Sequence, residues 1–98
     1  MEYRFQADMW MHHGGSWHFV TLPFDESDEI DEITTGRQGG FGSVKVRVTI
    51  GSSTWDTSLF PDTKAESYVL PIKKPVRVAE QLAVGAPVDV LLELLVPV

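Results

Sequence analysis

Apolar and polar positions alternate at the start of the chain. From Tyr3 to His12, Phe5, Ala7, Met9 and Met11 fall on one side, and Arg4, Gln6, Asp8, Trp10 and His12 on the other. A period of two is the mark of a strand. A second run, Ser16–Leu22, is rich in β-branched and aromatic residues and follows the pair Gly14–Gly15. Two glycines supply the positive φ angles of a two-residue hairpin turn. That turn sets Met9 opposite Val20, Trp10 opposite Phe19, Met11 opposite His18 and His12 opposite Trp17. Both faces of the hairpin are then apolar or aromatic, so it is buried on both sides or carries a site on one.

Pro23 closes the second strand and suits the first turn of a helix. The segment Asp25–Glu32 follows, with Ile30 and Ile33 as its apolar stripe and Gly36 as its stop. Gly36–Ser43 (GRQGGFGS) reads as a loop. Beyond it, Val44, Val46, Val48 and Ile50 alternate with Lys45, Arg47 and Thr49, the pattern of a half-exposed strand. Gly51–Ser52 offers a tight turn and Thr54–Phe60 returns. This register puts Val48 opposite Trp55 and Val44 opposite Leu59 on the buried side, with Arg47 and Asp56 as an exposed cross-strand ion pair. Ser67–Ile72 is a short strand whose Pro71 argues for a sheet edge or a bulge. Lys73–Ala83 reads as a second helix, with Pro75 in its first turn and Gly85 at its C-terminal cap. Pro87–Val96 closes the chain as a long strand with Asp89 and Glu93 on its exposed side. The order β-β-α-β-β-β-α-β predicts a mainly β fold, a small barrel or curled sheet with two short helices over its openings.

The chain has 98 residues, enough for one domain, here residues 1–98. Its 43% hydrophobic and 22% charged residues are those of a globular protein and exclude disorder. The apolar tail 88–98 is interrupted by Asp89 and Glu93 and falls far short of the ~20 residues of a membrane span. No basic leader precedes an apolar segment. Cysteine is absent, which excludes disulfides and thiolate metal sites and makes the cytoplasm the expected location. The net charge of −6 is unevenly placed: Asp25, Glu26, Asp28, Glu29, Asp31 and Glu32 supply it, and elsewhere acids and bases balance. Such a run reads as a solvated helix face, or else as an acidic docking surface for a basic partner. Nucleic acid is disfavoured, because phosphate contacts need a basic stripe.

Catalytic patterns are weak. A phosphate cradle lies between a strand and a following helix, whereas the glycine-rich loop leaves a helix and enters a strand. His12 and His18 fall on opposite faces of one hairpin, which denies a three-histidine metal site. No Gly-x-Ser-x-Gly elbow occurs, Ser58 stands mid-strand near Lys45, and no pair of carboxylates stands out. The residues therefore name no catalytic group, metal or other cofactor. The aromatics speak more clearly. Trp10, Trp17, Phe19, Trp55, Phe60 and Tyr68 can line a pocket with Arg37, Lys73, Lys74 or Arg77 at its mouth; alternatively they build the core.

Gly15 with Trp17–Pro23 (WHFVTLP), Gly40–Val46 (GFGSVKV), Val48–Gly51 (VTIG), Trp55–Asp62 (WDTSLFPD), Tyr68–Ile72 (YVLPI) and Val76–Arg77 with Ala79 together form a familiar pattern. In these segments the chain resembles the small bacterial family DUF1905, over nearly its whole length. The resemblance implies a double-split β-barrel, similar to AbrB- and MazE-like transcription factors and antidotes, and sometimes attached to a bacteriocin-protection type domain. The chain departs from the pattern at Asp56, where a basic residue is common, at Lys45, where proline is common, and at Gly85–Ala86, where Gly-Asp is common. Arg47 offers local compensation for Asp56. The resemblance carries Trp17, Phe19, Gly42, Ser43, Trp55, Ser58, Lys73 and Arg77 over as candidate ligand-binding residues, and Arg37 joins them from the pocket mouth. The expected function is a non-catalytic module that binds a small molecule or a protein, as a monomer or homodimer. A DNA-binding regulator or antidote, with Arg37, Lys45, Arg47 and Arg77 gathered by dimerisation, is the alternative; an enzyme of unassigned class is the third.

Overall fold

The computed structural model describes residues 1–96; the last two positions of the expected domain, Pro97 and Val98, lie outside the described residues. The strands are β1 (Glu2–Met11), β2 (His18–Thr21), β3 (Val44–Ile50), β4 (Ser53–Asp62), β5 (Ser67–Pro71) and β6 (Pro87–Leu94). Helix α1 (Phe24–Thr34) follows β2, and α2 (Lys74–Ala79) follows β5. The expected order of elements is the observed one. All neighbouring strands are antiparallel and close a barrel in the order β1-β2-β5-β4-β3-β6, with β6 returning to β1.

Two strands change partner midway. β1 pairs with β6 from Glu2 to Asp8 and with β2 from Met9 to Met11. β4 pairs with β3 from Ser53 to Leu59 and with β5 from Phe60 to Asp62. These splits bend a continuous hydrogen-bonded surface around a small lumen, which the alternation fills. Val44, Val46, Val48 and Ile50 of β3 face Val88, Val90, Leu92 and Leu94 of β6, all at most 7% exposed. Met9, Val20, Leu59 and Leu70 complete the wall of this core at 1% exposure or less.

Both hairpin registers are those expected: Met9 with Val20, Trp10 with Phe19, Val48 with Trp55 and Arg47 with Asp56. The Arg47 guanidinium donates to Asp56 Oδ1 at 2.8 Å and Oδ2 at 3.2 Å, which holds the Asp56 carboxyl below its ordinary value. The β3–β4 turn has positive φ at Gly51 alone (59°), as a type II′ turn requires at its first central position. The β1–β2 connection is wider than the two residues expected. His12 N donates to Trp17 O, Gly15 N donates to His12 O, and of the two glycines only Gly14 has positive φ. Met11, expected on the side of Met9, is 50% exposed because β1 has by then run past the mouth of the barrel.

Helix α1 buries Ser27, Ile30 and Thr34, one face at spacings of three and four, while Ile33 sits at its margin. Most of its carboxylates face solvent. Helix α2 is shorter than the Lys73–Ala83 expected. Gln81 turns left-handed (φ 54°), Leu82 N donates to Arg77 O and Gln81 N to Val78 O, the pair of bonds that ends a helix in a Schellman motif. Gly85 lies instead in the turn into β6, where its N–H donates to Met9 O. Pro71 stands at a local edge of β5, without a bulge. Residues 68 and 72 turn their backbone groups to β2, so the nitrogen of Pro71 points toward β4, which has already left to pair with β3. The missing N–H falls where no ladder needs it.

Candidate functional site

The alternation that fills the lumen also decides what β2 and its neighbours present outside. Val20 and Leu70 point in, so Phe19, Thr21, Val69 and Pro71 point out. Trp10, paired with Phe19, joins them: the two rings lie 5.1 Å apart and tilted by 36°, and Trp10 Nε1 donates to Thr21 Oγ1 at 2.9 Å. Trp17, just before β2, stacks on the far side of this group, 6.0 Å from Phe19 and within 8° of parallel. Three rings thus back one another in a row. Trp10 and Phe19 are half-buried, whereas Trp17 remains 60% exposed.

Trp17 separates two depressions. On one side His12, Trp17, Phe19, Phe60 and Val69 line an apolar groove of about 330 Å³. On the other, Ser16, His18, Pro71, Ile72, Lys73, Lys74 and Arg77 complete a hollow of about 270 Å³. Arg77 Nη1 donates to Ile72 O at 2.7 Å, which fixes that guanidinium where β5 gives way to α2. The histidines serve their own loop: the Nδ1–H of His12 donates to His13 O, and that of His18 to Ser16 O. Among the described residues no three histidine or carboxylate side chains converge as a metal would require.

Of the nine candidate ligand-binding residues, the structure brings Trp17, Phe19, Lys73 and Arg77 together. The other five lie elsewhere. Trp55, opposite Val48, packs against the core. Arg37 donates to Ile33 O at the end of α1. Gly42 lies against Pro61, and Ser43 N donates to Gly40 O in the turn that enters β3. Ser58 stands opposite Lys45 on the β3–β4 ladder. Of the cations of the regulator reading, Arg47 is engaged by Asp56 at 2.8 Å and Glu93 at 3.9 Å. The sequence reading passed over His12 and Val69 as lining residues; the parity of Val69 against the buried Leu70 was the signal available.

Tyr68, the other expected pocket aromatic, lies 4% exposed beneath α1. Its hydroxyl donates to Asp31 Oδ1 at 2.9 Å and accepts from Gln38 Nε2 at 2.9 Å. Nearby, Ser67 Oγ donates to Leu22 O, Ser27 donates to Ser67, and Tyr68 N donates to Ser27 Oγ. These bonds fasten the helix to β5. Burial first, then the hydrogen bond and charge of Asp31, push the Tyr68 hydroxyl up to about 12. Between the ordinary value of 10.0 and that value, the unfolded chain releases a proton that the folded one keeps. This contribution to stability is therefore complete below pH ~10 and lost as pH rises toward 12. Tyr68→Phe is expected to shrink the alkaline loss seen in urea unfolding between those pH values. An unchanged loss in the variant would place its origin in another group.

The chain is thus a small closed antiparallel barrel with split strands, carrying a stacked aromatic row on its outer wall. It belongs to the family described as Domain of unknown function (DUF1905), whose model matches residues 5–92, from β1 into β6. No curated protein matches the chain. Among the described residues no helix is long and apolar enough to cross a membrane.

Proposed function

We propose that this chain is a non-catalytic binding domain of the bacterial cytoplasm, seating its ligand on the outer wall of the barrel around Trp17. One observation carries the reading: a 60% exposed indole is held in place between two depressions by a row of rings behind it. Exposing a ring of this size forfeits apolar burial. Fixing it in advance lowers the entropy a ligand must surrender on binding, which is how an aromatic platform gains affinity. Trp10 anchored on Thr21, Phe19 on Trp10 and Trp17 on Phe19 form such a platform. The cytoplasmic setting rests on the cysteine-free composition.

Screening metabolites and peptides by tryptophan fluorescence is expected to return compounds that perturb the signal. Re-measured by calorimetry on Trp17→Ala, those compounds should bind about tenfold or more weakly, as the loss of one stacking partner predicts. Because Trp17 is mostly exposed, the variant should unfold close to the wild-type temperature. A screen without any responding compound, or compounds that bind the variant equally well, would remove the platform reading.

A further inference from the structure

We infer that the ligand seated at Trp17 is a small aromatic anion: a flat apolar ring system carrying an acidic group such as a carboxylate or phosphate. This rests on the platform reading above and adds the charge and size of the occupant. Trp17 lines both depressions, so a ligand lying against it meets apolar surface on one side and cations on the other. The apolar side is Phe19, Phe60 and Val69. The cationic side is Lys73, Lys74 and Arg77, three of the eight basic residues of the chain, gathered within five positions.

The balance of charge around the hollow is the second point. The chain carries −6 overall, yet no aspartate or glutamate lines either depression. Among the described residues, the ion pairs involve Arg47 and leave Lys73, Lys74 and Arg77 without a carboxylate partner. Contrast the cleft of about 260 Å³ between α1 and the β4–β5 turn, where Asp28, Asp31, Asp62 and Glu66 all stand on the lining. An acid-free hollow with three cations, in a protein this acidic, complements an anionic group. Size follows from the same features. Depressions of about 270 and 330 Å³ suit a small molecule, while the six acids of α1 repel a long polyanion such as a nucleic acid strand.

A matched pair of probes tests this: 1-anilinonaphthalene-8-sulfonate and N-phenyl-1-naphthylamine share one ring system and differ by an anionic sulfonate. The sulfonate probe is expected to bind wild type about tenfold more tightly than the neutral one, the scale of one charge-assisted contact. Its affinity should fall with added salt, and that of the neutral probe should not. The double variant Lys73→Glu/Lys74→Glu, changed at two exposed positions, should abolish the preference while keeping the neutral probe bound. Trp17→Ala should weaken both. Equal binding of the two probes, both lost in Trp17→Ala, would overturn the anion inference and leave the platform standing. Failure of both probes to bind, or binding that survives Trp17→Ala, would overturn both.

Discussion

Leu92→Ala is expected to lower stability by about 3 kcal/mol, the middle of the range for a buried leucine truncated in a rigid core. Leu92 has no exposed surface, and its strand lies between two others, with Tyr3 opposite on β1 and Val48 opposite on β3. The side chain fills the lumen at the seam that closes the barrel, where neighbours fixed by two ladders cannot collapse into the void. For a domain of this size the loss corresponds to a fall of about 15 °C in Tm. Val78→Ala removes comparable apolar atoms from a residue that is 67% exposed, and should change stability by less than about 0.5 kcal/mol. Thermal unfolding of the two variants side by side provides the check. Similar midpoints would mean that the lumen is not the core.

Gly51→Val should be nearly as harmful, through the backbone rather than the core. Gly51 holds φ 59° in the β3–β4 turn, a region that costs a β-branched residue about 2 kcal/mol. A side chain there would also collide with Glu80 Oε1, since the carboxylate lies directly over the glycine. Glu80 reaches across from the end of α2 to accept from Ser53 Oγ (2.6 Å), Ser52 Oγ (3.2 Å) and Ser52 N (3.3 Å). The bond from Ser53, and then those from Ser52, hold its carboxyl below the ordinary value of 4.5 against the opposing effect of desolvation. A depressed carboxyl contributes stability that is present above its unfolded value and lost as pH falls through the folded one. Gly51→Val should therefore lose midpoint at neutral pH and also show a shallower acid decline than wild type. An unaltered acid limb would show that Glu80 keeps its partners despite the substitution.

Short-range pairing was legible in the sequence because glycine turns pin it. Gly51–Ser52 leaves a single register for β3 and β4, and alternation then assigns every residue of the pair to a face. The same register sets Trp55 opposite Val48, packed against the core and away from the wall that carries Trp17. The wider β1–β2 loop kept its register because residues were added symmetrically about the glycines. What the sequence withheld is long-range. Nothing in Glu2–Asp8 specifies Pro87–Glu93 as its partner beyond a shared period of two, and the splits at Met9 and Phe60 depend on strands that arrive from elsewhere. Helix α2 was overextended because its apolar spacing continues past Glu80, while the left-handed turn at Gln81 is an ending that glutamine rarely announces. The platform itself was half visible. The sequence groups Trp17 and Phe19 with Lys73 and Arg77, but the path between them is the β2–β5 pairing that brings α2 alongside.

The position of β6 in the barrel also bears on how the chain is made. β6 pairs with β1 and β3, elements translated long before it, so neither has its full complement of partners until the last strand of the barrel emerges. During synthesis β1 waits with an unpaired edge from Glu2 to Asp8, and β3 with one from Val46 to Thr49. Topologies that depend on such distant pairing fold slowly, and waiting edges recruit other chains. The alternate positions on those two strands hold Arg4, Asp8, Lys45 and Arg47, charges that discourage edge-to-edge pairing. On the nascent chain they guard the unfinished sheet; in the folded barrel the same residues lie on its exposed face, Arg47 there paired with Asp56.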